Sequence, residues 1–274
     1  SGGFNNIASS DGSTIGGGDS NEASGPTSTI GGGEINVAAD VDATVSGGFN
    51  NIASSEASTI GGGDSNVAAG EGSTVSGGFE NSASSDGSTI GGGNQNEASG
   101  FGSTVSGGFE NIAISGGSTI GGGGGNVAAG LGSTVSGGKD NNATGAFSFI
   151  GGGDNNQATG DNSIAMGKNA NAKKDRSLVI NLGNNEVSSK KDGEFLVNSD
   201  SFTLQIGKKK VTINKKNIKR FKKLLKKKNR RLEEITNQYE INEYVNKQEE
   251  RNNQQLTIIE ELHKQNEKQQ QQNE

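Results

Sequence analysis

The chain has no cysteine and no tryptophan, and it holds a single proline, a single histidine and two tyrosines. Without cysteine there is no disulfide framework, no thiol nucleophile and no thiolate metal site. The one histidine, His263, lies in the tail, and the acids of the array sit at variable positions such as Asp11, Asp19 and Glu56, so no histidine-based acid–base or metal chemistry is expected. Only 28% of the residues are hydrophobic. No run of about 18 apolar residues occurs, so the sequence holds no transmembrane helix. No leader-like segment precedes Ser1, which begins in register with the pattern described next; the expectation is that the chain is cut from a longer array.

What the chain has instead is glycine and a period. Of its 47 glycines, 43 precede residue 166. From Ser1 to Ala165 the sequence repeats every 15 residues without insertion, in eleven blocks of the form (S/G)GGxxNxAxxxxST(I/V) with a few departures. Asn stands sixth in every block (Asn6, Asn21, Asn36, Asn51 and onward to Asn156) and Ala eighth (Ala8, Ala23 and onward to Ala158). Blocks end on Ile15, Ile30, Val45, Ile60 and their successors. A fixed short period marks stacked units, each too small to close a core alone.

Glycine at this density is costly inside a helix, and the apolar positions do not sustain helical spacing. Each block instead offers two short strand-like stretches, such as Ser58-Thr59-Ile60 and Asn66-Val67-Ala68-Ala69, separated by Gly- and Asn-rich corners. The sequence therefore predicts a mainly β parallel solenoid, a β-roll of 15-residue coils stacked at about 4.8 Å. Asn at position six is expected to occupy a left-handed corner and to form a stacked amide ladder. From residue 45 to residue 151, blocks ending in Val are followed by Ser and blocks ending in Ile by Gly. This alternation reads as volume compensation in a packed interior, or as duplication of a 30-residue unit. Each coil turns only one Ile or Val and one Ala inward. That is too little burial to offset the ordering of its backbone, so symmetric association of several rolls is expected.

The array ends with a coil one residue shorter. Ala158 is answered by Ala172, and Ser163-Ile164-Ala165-Met166-Gly167 by Ser177-Leu178-Val179-Ile180-Asn181, with Lys173, Lys174 and Arg176 entering. Solenoids need such a cap where the stack stops.

Two stretches carry a resemblance: GGGDSNVAAGEGSTVSGGFENSASSDGSTIGGG at residues 61–93 and SIAMGKNANAKKDRSLVINLG at residues 163–183. They resemble the head repeats of YadA-type trimeric autotransporter adhesins, over residues 1 to about 185. The resemblance implies a left-handed parallel β-roll per chain, a homotrimer around one axis, and attachment to a host surface protein or glycan. Those adhesins end in a membrane β-barrel, whereas this sequence ends on Gln269 to Gln272, Asn273 and Glu274 with no alternating aromatic strands. Repeats of this kind are also similar to parts of phage and giant-virus fibres. The expected location is extracellular, on a cell or virion surface.

Five segments follow: head repeats at 1–165, terminal capping coils at 166–193, a β-rich collar or neck at 194–213, a coiled-coil stalk at 214–264 and a Gln-rich disordered tail at 265–274. In the stalk Ile218, Phe221, Leu225, Leu232, Ile235 and Tyr239 fit an a/d pattern with Lys228 in one slot, resumed by Leu256, Ile259 and Leu262 or His263.

Net charge is −6 but unevenly placed: residues 1–165 hold sixteen acids against Lys139 alone, and residues 208–231 hold fourteen Lys and Arg and no acid. Lys222, Lys223, Lys226 and Lys227 are the candidate anion contacts, with a solvated coiled-coil face as the plainer reading. No aromatic platform or base-reading motif accompanies them, so nucleic acid is not an expected partner. The GGG runs lack the GxxxxGK(S/T) pattern, so neither nucleotide nor other cofactor is expected, nor metal, nor enzymatic activity. Phe4, Phe49, Phe79, Phe109 and Phe101 are candidate partner contacts, or packing between chains. A ladder from Thr14 to Thr134 suggests β-branched packing, with ice binding as a minor alternative and a passive structural fibre as another.

Overall fold

The computed structural model describes residues 2–206 and 209–272; nothing is stated of the side chains of Leu204, Ile206, 209–211, Lys215, Phe221 or 256–272. The chain divides into two units, residues 1–199 and 200–274.

The first unit is a parallel β-solenoid. Its coils contribute to two 13-stranded sheets, one running from Ile7–Ala8 to Val187–Ser188 and the other from Thr14–Ile15 to Phe195–Asn198. Through most of the roll each strand is two residues long, because a corner follows at once on either side. Partners are 15 residues apart, as in Thr74↔Thr89 and Ser82↔Glu97. At Ile150 to Gly153 the register shifts, and beyond it Ala158 faces Ala172 and Ile164 faces Leu178 at the fourteen-residue spacing visible in the sequence. Phe195–Asn198 pairs with Leu178–Asn181, so the strand read as part of a neck is the last strand of this sheet.

The alternation of strand side chains puts one residue of each pair inward. Ile30, Val45, Ile60, Val75 and their equivalents are wholly buried, as are Ala23 to Ala158 at position eight. In the first coil, which has a neighbour on one side only, Ile15 is buried but Ala8 is exposed and Asn6 half-buried. Each interior coil therefore has two apolar core side chains, one from either sheet, together with a buried Asn and a buried Ser, the Ser being replaced by buried Ala43 in the third coil.

The Gly/Ser alternation is not a matter of interior volume. Ser46, Gly61, Ser76 and Gly91 at position one are exposed, although the Ile or Val before each is buried. A Cβ added to Gly61 would lie 2.4 Å from the carbonyl oxygen of Ser76, so glycine answers to the backbone of the next coil.

The corners also differ from expectation in one respect. The left-handed conformation falls at position five, one residue before the ladder Asn, in Ser65 (φ 57), Glu80 (φ 53) and Gln95 (φ 55) among others. It recurs at position twelve, which is Gly in Gly72 to Gly132 but Ala57 (φ 55) and Phe147 (φ 54) elsewhere. A non-glycine residue there costs about 1–2 kcal/mol, and glycine's greater freedom in the unfolded chain returns part of it. Ala57→Gly is accordingly expected to stabilise the roll by about 0.5–1 kcal/mol in denaturant unfolding, since no side-chain contact is lost beyond one methyl.

In the second unit an antiparallel hairpin pairs Ser201–Ile206 with Lys209–Asn214. A helix follows from Lys215 to Gln272, capped by Asn214, whose Oδ1 accepts the N–H of Asn217 at 2.9 Å. The backbone stays helical through most of the stretch expected to be disordered. Gly207 and Lys208, in the turn of the expected collar, and Asn273 and Glu274, at the end of the expected tail, lie outside the described residues, as do the side chains of Leu256, Ile259, Leu262 and His263.

Candidate functional site

The most ordered chemistry in the roll is the amide ladder at position six. Asn81 is representative. Its Nδ2 donates to Oδ1 of Asn66 at 3.1 Å, to the Gly77 carbonyl at 3.0 Å and to the Gly93 carbonyl of the next coil at 3.0 Å. Its N–H donates to the same Asn66 Oδ1 at 3.1 Å. Oδ1 of Asn81 in turn accepts the N–H and Nδ2 of Asn96. The ladder runs from Asn6 to Asn156 and ends where Ala170 donates its N–H to Asn156 Oδ1 at 2.9 Å. It is buried and self-satisfied, so it holds coils together rather than presenting a surface.

Two features of this construction escaped the sequence reading. Glycine at position three, as in Gly78 (φ +98), lets the next coil approach: a Cβ there would lie 2.2 Å from the Gly93 carbonyl oxygen. Serine at position thirteen is buried and in several coils bonds back to its own corner, as when Ser58 Oγ donates to the Ser55 carbonyl at 2.6 Å. The repetition of both residues in the blocks was the available signal.

The outward surfaces differ sharply from one another. The Thr ladder lies on the outer side of one sheet, with Thr29 to Thr134 half-buried, and is continued by Phe149, Ile164 and Leu178. No charged residue interrupts it. The outer side of the other sheet carries position seven, where Glu22 and Glu97 stand among Val37, Ile52, Val67, Ile112 and Val127. The corner at position four brings Phe49, Phe79 and Phe109 into one exposed column, with Asp64 and Asn94 between them. Two coils of about 4.8 Å separate neighbouring rings, so the phenyl groups do not stack on each other. Phe4 heads the same column, whereas Phe101 lies on a different corner.

On the helix, Lys223, Lys226 and Lys227 share one exposed face with Arg220, Leu224 and Arg230, and Lys222 is not among the residues lining it. Ile218, Leu225, Leu232, Ile235 and Tyr239 are also exposed. Further along, the exposed Lys247 donates to Glu243 at 2.8 Å, which holds the Glu243 carboxyl below and the Lys247 ammonium above their ordinary pKa values. Among the described residues no cluster of His, Cys, Asp or Glu could hold a metal ion, and no helix is long and apolar enough to cross a membrane.

A stack of parallel coils, with most of its variable residues at the corners, is built to repeat one surface at a fixed interval. Four segments of the roll match the ubiquitous surface protein adhesin repeat. They are residues 13–25, 43–54, 73–84 and 103–116. The adhesin repeat thus recurs at every second coil, and Phe49, Phe79 and Phe109 each lie inside a matched segment. This repeat family is one of trimeric autotransporter adhesins, in keeping with the resemblance carried by residues 61–93 and 163–183. The matched repeats and the solenoid fold together point to a structural protein. No curated protein shows significant similarity to the chain.

Proposed function

We propose that the protein is a homotrimeric, adhesin-like surface fibre, in which three left-handed rolls present their corners to a host surface protein or glycan and the helices associate as a coiled coil. The observation that carries this is the adhesin repeat itself, recurring in phase with the coils of the roll. The match speaks for a cell surface and lends no support to a virion surface. Attachment would be multivalent, because equivalent corners recur along each roll and around the axis, so weak contacts add through effective concentration.

Two further observations support association between copies of the chain. The stripe Ile218, Leu225, Leu232, Ile235 and Tyr239 is exposed in the single chain and follows the a/d spacing that a coiled coil covers. The Thr face of the roll is free of charge, and around a symmetry axis identical residues meet, so charged ladders repel where uncharged ones pack. Replacing Thr74, Thr89 and Thr104 together by Lys is expected to weaken association at least tenfold in sedimentation experiments. The same change at Val67, Ser82 and Glu97, on the other sheet, is expected to leave the mass unaltered.

The attachment reading is tested by exposing cells and glycan arrays to the labelled full chain. Saturable, competable binding is expected. Binding that never saturates would leave a passive structural fibre as the function.

A further inference from the structure

The corner formed by block positions nine to twelve changes character along the roll. In the first six coils it carries Asp11, Asp40, Asp42, Glu56, Glu71 and Asp86. In the next four coils it carries no charge at all, and Phe101, Ile114, Leu131 and Phe147 stand out from it at 72%, 47%, 57% and 60% exposure, one in each successive coil. Charge returns with Asp161.

Two of these side chains lie against glycines of neighbouring coils. A methyl placed on Gly132 would sit 2.9 Å from Phe147 Cδ1, and one on Gly116 would sit 3.5 Å from Leu131 Cδ1. Phe147 and Leu131 therefore lean over the bare backbone of the coil before, and the surface between them is glycine. With Phe101 and Ile114 exposed on the two coils before, the corner carries an apolar ridge spanning about 14 Å, counting three coil rises. Scattered apolar residues on a surface are ordinary, but a contiguous row bounded by acids marks a contact.

The corner holds position twelve left-handed whatever its residue: glycine in the five preceding coils, Thr27, Asp42 and Ala57 earlier, and Phe147 (φ 54°) here. Phe147 takes that conformation with its ring exposed over Gly132.

We propose that this ridge docks a cationic amphipathic helix of another protein. The charge pattern names the partner. Glu56, Glu71 and Asp86 lead up to the ridge on the three coils before it, and no Lys or Arg occurs before Lys139 to neutralise them. The partner must therefore continue its apolar face into Lys or Arg. A helix advances about 5.4 Å per turn, close to the coil rise of about 4.8 Å, so successive turns meet successive coils. The proposal deepens the attachment reading, on which its biological role rests, by naming the contact and the chemistry it selects.

The test uses the full chain, immobilised, against a library of 18-residue amphipathic helical peptides whose polar faces vary in charge. The ridge variant combines Phe101→Ser, Leu131→Ser and Phe147→Gly, the last of which relieves strain, so loss of binding is separable from loss of fold. Enriched peptides are expected to pair an apolar face with Lys or Arg and to bind the ridge variant at least tenfold more weakly. The Glu56→Gln, Glu71→Gln, Asp86→Asn variant is expected to weaken them severalfold and to flatten the salt dependence. Enrichment of neutral or acidic peptides, absence of enrichment, or equal binding to the ridge variant would overturn the proposal. A ridge variant of lower solution mass than the wild type would place the ridge between copies of this chain and would overturn it equally. A peptide of residues 215–232, itself basic and amphipathic, is the self control; if it binds best, the occupant is a second copy and the assignment to another protein is wrong. Labelled chain that fails to bind cells saturably, while the peptide result stands, would remove the attachment reading alone.

Discussion

Gly78→Ala is expected to unfold the middle of the roll. The new Cβ would lie 2.2 Å from the Gly93 carbonyl oxygen and 2.6 Å from Asn81 Nδ2, and the backbone at φ +98 is one that an L side chain rarely adopts. The nearer obstacle is backbone and the other is an amide fixed in the ladder, so relief requires the two coils to part. In a stack where each coil touches only its neighbours, parting removes one interface outright. A loss of more than about 4 kcal/mol is expected, with amide exchange protection failing first in the coils on either side of residue 78. Gly72→Ala is the control: φ is +61 but nothing lies within 4 Å of the added methyl. Its cost is expected to stay near about 1 kcal/mol, the left-handed penalty alone. Equal effects from the two substitutions would contradict the close approach of coils at position three.

Asn81→Ala should have the second largest effect. The substitution deletes the Nδ2 donor shared by Asn66 Oδ1 and the Gly77 and Gly93 carbonyls, and it takes away the acceptor of the Asn96 N–H. The site is buried, so water cannot substitute without opening the coil. One orphaned buried group costs about 1–3 kcal/mol, and the groups here are coupled along the ladder; a loss of about 3 kcal/mol in denaturant unfolding is expected. Asn81→Asp should be worse, because it keeps Oδ1 but places a buried carboxylate against the Gly77 and Gly93 carbonyls. An Asp variant as stable as the wild type would mean that the ladder's donors contribute nothing.

Much of this was legible in the residues themselves. The 15-residue register, the inward Ile or Val and Ala, the shorter coil at Ala172 and the amide ladder all follow from spacing, because stacking forces equivalent positions together. The left-handed corner was misplaced by one residue. Asparagine's tolerance of that conformation pointed to position six, but position six needs its amide in the ladder, and position five, free of any such duty, takes Ser65, Glu80 or Gln95 without a compositional mark. The ridge was hidden for a related reason. Phe101, Ile114, Leu131 and Phe147 occupy block positions eleven, nine, eleven and twelve, so reading the repeat column by column aligns only two of the four. Only the turn of the corner brings them into one row.

The proposed fibre requires identical rolls to associate through their uncharged faces. The mass of the full chain in dilute solution, by sedimentation equilibrium, tests this directly. Three times the chain mass of 27.9 kDa is predicted, with no folded species of lower mass at micromolar concentration. A well-folded particle of a single chain mass, with the circular dichroism of the intact solenoid, would contradict it.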